Sequence, residues 1–590
     1  MPKDGLSRRD FLKGAALGAS SAALFTLAAC NDDDKSDGSV SGGTSQLPNW
    51  THEADVVVVG GGIVGIVAAI RARDLGASVI VVEANYACGG HAMTSGGHVH
   101  LGGGNSLQKL ANVEDSADQY YIDHTAPFQS RDRANIREVI RGAANYHADA
   151  FEFMLENGWK NQGLPNLRGG GQGADSVDRT VTTDMTGWED VNPMGTGSIP
   201  LGPGLMRPIE KSARDKGVEF IMNHHMDKIY RDASSGNVVG IMAAYSPRIM
   251  KGQTEPLVDF EEFLDGNIDT TETVYVKANK GVVIATGGSS SNWQFHSLFD
   301  PRYGPEHANG VGGDPFSFQD ASGELAIIEI GGTIAATEVG INVAKARAVG
   351  TQYGYRHKTI TADAPVFPEV RSYGFDIDPD RVSLDGMVFV NMIGNRYAAE
   401  DTDGTEYWDR VLSSVLIEED GELTRMAGPI WAIFDDEWAK ERNFDMSGPP
   451  SVDWDDGYIY KADTLEDLAD KVVNKFYEQH KMPGENLVAT IDRYNTFVDS
   501  GVDEDFKRKN PYVKVATPPF YAAWVPNAYH DTLIGVLING KFQVLDFNRK
   551  VIPHLYCGGE ASAGQGMHGH GKNISNGYAI GTHIVEEQAI

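Results

Sequence analysis

Asp55-Val56-Val57-Val58-Val59-Gly60-Gly61-Gly62-Ile63-Val64-Gly65, in one-letter form DVVVVGGGIVG, is the stretch on which the fold turns. Four consecutive valines after a polar residue have no in/out alternation. That is the pattern of a strand buried on both faces, as in a parallel sheet. The strand runs straight into a GxGxxG turn at Gly60, Gly62 and Gly65. A helical pattern follows over Ile66–Leu75, then a second apolar strand, Ser78–Val82, which ends at Glu83. A glycine turn alone is weak evidence. A strand, glycine turn, helix, strand and terminal acid in this order form a complete dinucleotide-binding unit. The glycines let the backbone approach a diphosphate, and the helix N-terminus offers it free N–H groups and a positive dipole end. Glu83, 18 residues beyond Gly65, is placed to accept hydrogen bonds from ribose hydroxyls.

Working outward, the chain has 590 residues and a formal net charge of −32, with 41% hydrophobic residues. The length predicts two or three domains with large cores. The charge excludes a nucleic-acid partner. Three cysteines, Cys30, Cys88 and Cys557, cannot form a disulfide framework, and there is no CxxC pair or haem-attachment spacing. Two other glycine clusters, Gly169–Gly173 and Gly195–Gly204, lack a preceding strand and read as loops, so a second nucleotide domain is not expected.

The first residues concern delivery. Arg8-Arg9 followed by Asp10-Phe11-Leu12-Lys13 reads as a twin-arginine export signal. The weakly apolar run Gly14–Ala29 is too short and too rich in Ala, Gly and Ser for a span, which needs about 20 strongly apolar residues. Leu27-Ala28-Ala29-Cys30 resembles the lipobox of bacterial lipoproteins, which implies a lipid anchor at Cys30; a chance cysteine near a cleavage site is the alternative. Asn31–Ser45 is polar and Gly/Ser-rich and reads as a tether. The expected layout is a signal over 1–30, a linker over 31–50, a nucleotide-binding domain over 51–291 and 515–590, and an inserted domain over 292–514. The expected destination is the periplasmic side of a bacterial membrane.

Three further segments select the nucleotide: Gly89-Gly90-His91-Ala92-Met93-Thr94-Ser95-Gly96-Gly97; GVVIATGG over Gly281–Gly288; and LYCGGE over Leu555–Glu560. With these the chain resembles, over about residues 52 to 590, the FAD-binding family of fumarate reductase flavoprotein subunits and 3-ketosteroid dehydrogenases. The resemblance implies an α/β fold: a Rossmann-like FAD-binding domain with an inserted α+β cap (substrate) domain. It implies FAD contacts from Gly90, Ser95, Gly96, Gly97, Thr286, Gly287, Gly288, Glu560 and Asn576, with a helix starting near Asn576 aimed at the flavin pyrimidine. Membrane-bound fumarate reductases carry a histidine at the position of His91 that bonds FAD covalently. The loop here is one residue shorter, and noncovalent FAD is the expectation.

In the expected cap, DGMVFVNMIGNRYAAE over Asp385–Glu400 matches the family hairpin G-x-[IV]-V-N-x-x-G-x-R-[FY]-x-x-E. Its Arg396 and Glu400 either serve the site or only pin the hairpin to the FAD domain. Arg410, shortly after, is the candidate for the family's proton-donating arginine, although its offset departs by a few residues. Near the C-terminus, Tyr529-His530-Asp531 places an aspartate where the family has a carboxylate-binding histidine. Gly566–Gly577, GMHGHGKNISNG, places Lys572 where the family has a carboxylate-clamping arginine. Lysine is a point charge without a bidentate fork, and an aspartate repels a dianion. Both departures argue against fumarate or succinate.

What remains is Tyr529, His530, His568, His570 and Lys572 on two loops that the resemblance places over the flavin. These residue types can exchange a proton with a substrate. Lys572 is expected to stabilise negative charge at the pyrimidine end of the cofactor. The His568-x-His570 spacing lacks a carboxylate or thiol partner, so no metal is expected. The expected activity is hydride transfer between flavin and a carbon of a small organic substrate: desaturation or saturation beside a carbonyl, or alcohol oxidation. Electrons are expected to pass to or from a separate quinone or cytochrome. A fumarate or enoate reductase and a non-catalytic electron-transfer subunit remain the alternatives.

Overall fold

The computed structural model describes residues 47–125, 135–169, 177–188, 201–249, 254–259, 261–290, 292–299, 309–310, 319–335, 340–342, 386–400, 415–419, 422–426, 430–441, 459–473, 478, 480–509, 513–525, 528–566 and 569–590. The valine run lies in β1 (His52–Val59), where Val56, Val57 and Val58 are completely buried. Each such side chain stabilises the fold by about 1.5–3 kcal/mol. The polar start has its own task. The Asp55 carboxylate accepts hydrogen bonds from the Ser78 amide and hydroxyl, both 2.8 Å, and ties the entry of β1 to the next strand.

After β1 come α1 (Ile63–Asp74), which is buried along most of its length, and β2 (Val79–Val82). Further along are α2 (Gly202–Asp215), β3 (Glu219–Ile221), the hairpin β4 (His224–Arg231) and β5 (Val238–Tyr245), and β6 (Val274–Ile284). The chain returns as α3 (Ser322–Glu329), β7 (Gln543–Leu545), β8 (Val551–Cys557) and α4 (His570–Glu586).

One eight-stranded sheet holds these strands in the order β7-β8-β6-β1-β2-β3, with β5 and then β4 branching off β6. The pairs β8/β6, β6/β1, β1/β2 and β2/β3 are all parallel. Val282 of β6 pairs with both Val57 and Leu555, so strands from opposite ends of the chain flank one central strand. This is the expected Rossmann-like architecture. One detail differs. Gly202 and Gly204, assigned to a loop from sequence, open α2, whose Arg207, Glu210 and Arg214 form a buried ionic cluster with Asp259. Burial of Leu205, Met206 and Ile209 in the same helix outweighs the low helix propensity of glycine.

A second, antiparallel sheet of four strands runs in the order Val388–Val390, Ile430–Asp435, Phe520–Val525, Ile459–Ala462. The helix Gly484–Ser500 covers it through Leu487, Ile491 and Tyr494. Its strand Phe520–Val525 lies beyond residue 514 in sequence. The Arg396 guanidinium reaches Glu400 at 2.7 Å and Asp503 at 2.8 Å, and Arg508 also reaches Glu400. The hairpin is thus tied to the segment after the helix Gly484–Ser500, through Asp503 and Arg508, and not to the nucleotide-binding strands as the sequence reading allowed. Among the described residues no helix is long and apolar enough to cross a membrane.

Candidate dinucleotide and active site

At the C-terminal end of β1 the chain turns sharply at Gly60, whose φ of +100° lies in a region side chains disfavour. A Cβ there would strike the Ala285 carbonyl, and one on Gly65 would strike the Gly60 carbonyl. The two glycines thus let α1 sit directly on the strand ends. Gly62 is different: an added Cβ would meet nothing within 4 Å. Gly62 caps α1 with no side-chain hydrogen bond and no acidic residue in the first turn. The start of α1 thus has room beside Gly62 and no side chain capping its dipole, the setting in which a helix N-terminus takes an anion.

Glu83 ends β2 as the sequence predicts. Its Oε2 accepts from the Gly61 amide at 2.6 Å and its Oε1 from the Asn85 amide at 2.8 Å. Burial pushes its carboxyl up to about 6, outweighing the hydrogen bonds that favour the charge. The loop after it folds back over the turn, with the Gly89 amide donating to Gly61 O at 3.0 Å. Cys88 in that loop is a free, buried thiol pushed well up by burial. Gly90 begins a short 3-10 turn, Gly90–Thr94. The turn closes through Ser95, whose hydroxyl donates to Ala92 O at 2.8 Å and accepts from the Gly97 amide at 3.2 Å, with Gly96 between them.

The second half of the site gathers at the ends of β6 and β8. Thr286, Gly287 and Gly288 follow β6, and a Cβ on Gly288 would collide with the Thr532 hydroxyl. Glu560 sits on the turn after β8. Its Oε2 accepts from Gln319 Nε2 at 2.7 Å and lies 3.5 Å from His91 Nδ1. Three segments singled out from sequence therefore meet here. Gln319, which joins them, has no motif of its own.

The helix α4 begins at His570, not near Asn576 as the sequence suggested. Glycine-rich sequence reads as loop, but Gly571 is where the His100 carbonyl packs against the helix, and a side chain there would collide with it. Packing decides the start. Asn576 consequently lies in the second turn, its Oδ1 accepting from Gln565 Nε2 at 2.9 Å. Lys572 falls in the first turn and is buried, 4% exposed. No carboxylate pairs with its ammonium among the described residues. Tyr529 and His530 lie on the strand Ala528–Thr532, which pairs with Asn309–Gly310 and Gly340–Asn342. Their side chains, with His568 and Arg410, lie outside the described residues.

The buried polar atoms Thr286 Oγ1, Gln565 Oε1 and Asn573 Oδ1 have no hydrogen-bond partner among the described residues. Buried polar groups are rarely left so. With the space beside Gly62 and the buried Lys572, which has no carboxylate partner among the described residues, they fit an elongated anionic molecule with polar groups along its length. FAD is such a molecule. Gln565 and Asn573 were overlooked in the sequence although they sit within its most glycine-rich C-terminal stretch.

A parallel sheet with this turn, a second acid at Glu560 and buried polar atoms left without partners fit an FAD-dependent oxidoreductase. A family model described as "FAD binding domain" matches residues 55–315 and 378–577, and the chain belongs to that family. It is similar to a probable fumarate reductase of Shewanella frigidimarina (strain NCIMB 400), 25% identical over 555 residues that span 94% of this chain and 76% of that one. It is also similar to digoxin reductase of Eggerthella lenta, 24% identical over 580 residues, 94% of this chain and 91% of that one. Among solved structures, a 3-ketosteroid delta1-dehydrogenase from Sterolibacterium denitrificans shares the fold with a TM-score of 0.61 at 18% identity, over 91% of this chain and all of that one, 100%.

Proposed function

We propose that this enzyme adds or removes hydrogen at a carbon beside a carbonyl of a small or mid-sized organic substrate. The observation that carries the reading is Lys572, buried in the first turn of α4 with no carboxylate partner among the described residues. Bound FAD supplies the hydride acceptor or donor. Gly60, Gly62 and Gly65 shape the diphosphate site, and Glu83 and Glu560 hold sugar and ribityl hydroxyls. Thr286, Gly287, Gly288, Gly90, Ser95, Gly96, Gly97 and Asn576 line the groove. Lys572 offers positive charge to an anionic group there. His570, His568, His530 and Tyr529 are the proton carriers, and Arg410 is the weaker candidate.

The names of the relatives support an unsaturated substrate, since they include a fumarate reductase, a digoxin reductase and a ketosteroid dehydrogenase. Electrons pass to or from a separate quinone or cytochrome. The twin-arginine motif and Cys30 support export and a lipid anchor on the periplasmic side, with cofactor loaded beforehand. The probable fumarate reductase of Shewanella frigidimarina favours the enoate reductase alternative, with Lys572 as a monodentate carboxylate holder.

The deciding experiment follows flavin bleaching and reoxidation in purified holoprotein against steroids, cyclic enones, alcohols, fumarate and related enoates. Turnover with a cyclic enone or steroid and none with dicarboxylates is expected. Turnover confined to dicarboxylates would replace this reading with the second, and none across the whole panel would leave only electron transfer.

A further inference from the structure

Gln319 is buried, 1% exposed, and its backbone φ is +41°, in the left-handed region. Its amide touches three separate segments. Nε2 donates to Glu560 Oε2 at 2.7 Å and lies 3.3 Å from His91 Nδ1, and Oε1 accepts from the Ser290 hydroxyl. Its side chain also packs on Gly287. Ala321, two residues on, is left-handed as well, with φ +65°. Non-glycine residues persist in such conformations only where their surroundings over-determine them.

Here the over-determination comes from Asp320, between the two. Its Oδ2 is bonded to His225 Nε2 at 2.9 Å and its Oδ1 accepts from the Ser322 amide at 2.9 Å. Its carbonyl accepts from Asn292 Nδ2 at 2.8 Å. His225 stands on β4, and its other ring nitrogen is bonded to Asp227 at 2.8 Å. A strained three-residue segment is thus clamped to the main sheet so that one amide projects onto the Glu560 carboxylate.

We infer that Gln319 is a positioning residue of the flavin site: clamped through Asp320 and His225, it orients the Glu560 carboxylate and the His91 ring toward the cofactor. The inference rests on Glu560 being a cofactor ligand, as proposed above. A carboxylate that must meet a hydroxyl in one geometry gains from a neutral donor that fixes its rotamer without neutralising it. A hydrogen bond to a charged group of this kind corresponds to about tenfold or more in affinity.

The test uses purified holoprotein and its Gln319→Leu, Gln319→Glu and Glu560→Gln variants. FAD affinity is read by flavin fluorescence, with the flavin absorption spectrum and reduction potential. Gln319→Leu is expected to weaken FAD about tenfold and to shift spectrum and potential in the same direction as Glu560→Gln. Gln319→Glu, of the same size, sets a second carboxylate against Glu560. Its FAD affinity is expected to fall at neutral pH and recover on acidification. Affinity, spectrum and potential unchanged in Gln319→Leu, or a pH-independent affinity in Gln319→Glu, overturns the inference. An unchanged Glu560→Gln instead removes the role of Glu560, and the inference falls with it.

Discussion

The Glu83 carboxylate closes onto the turn that precedes it in space, with Oε2 2.6 Å from the Gly61 amide. That bond and the one from Asn85 satisfy two backbone N–H groups, and the carboxylate has acceptor capacity left for a ribose hydroxyl. Glu83→Gln turns one of these acceptors into a donor facing a donor. The expected cost is about 1–3 kcal/mol of stability, seen as a lower melting temperature, together with weaker FAD binding in a fluorescence titration.

Gly65 and Gly62 belong to one motif but separate folding from binding. At Gly65 a methyl would strike the Gly60 carbonyl, so Gly65→Ala should destabilise by about 1–3 kcal/mol. At Gly62 a methyl meets nothing, so Gly62→Ala apoprotein should melt like the parent. The methyl would nonetheless enter the space before α1, and FAD affinity should fall. Paired melting curves and FAD titrations distinguish the two.

Lys572 is buried in the first turn of α4, and Lys572→Met removes its positive charge while keeping a long unbranched side chain. Turnover should drop about 10²-fold and the flavin spectrum should change while FAD stays bound. Wild-type turnover in steady-state assays would strip Lys572 of its assigned part.

His225, hydrogen-bonded first to Asp320 and then to Asp227, is held protonated, its pKa raised to about 9 from 6.5. Because the folded state binds the proton more tightly, the stabilisation is complete below about pH 6.5 and disappears as pH rises through about 9. Thermal melts between pH 6 and 10 should show this alkaline loss, and His225→Asn should lack it.

Export is tested by fractionation. Arg8→Lys with Arg9→Lys should retain flavin-loaded protein in the cytoplasm. Cys30→Ser should yield exported protein that washes free of the membrane, and unchanged membrane retention would exclude the anchor.

The nucleotide half was legible because it is local. The valines of β1, the glycines of its turn and Glu83 lie within one βαβ unit, and each residue type is dictated by backbone geometry or burial. The segments at Thr286 and Glu560 were legible as family motifs, though only the sheet brings them together. Gln319 was not legible: its place depends on a left-handed backbone and a clamp from β4, which leave no local pattern. The start of α4 was misplaced because GMHGHGKN has poor intrinsic helix propensity, and packing against His100 overrides it. Asn573 and Gln565 were missed for a related reason, since an uncomplemented polar atom becomes visible only after its surroundings are known.

The flanking of β6 by β1 and β8 carries a consequence for biogenesis. The sheet needs residues 52–59 and residues 551–557 on either side of β6, so a nascent chain cannot finish it until about 500 residues after its first strand have been translated. A chain truncated before Val551 would lack that strand and should emerge colourless.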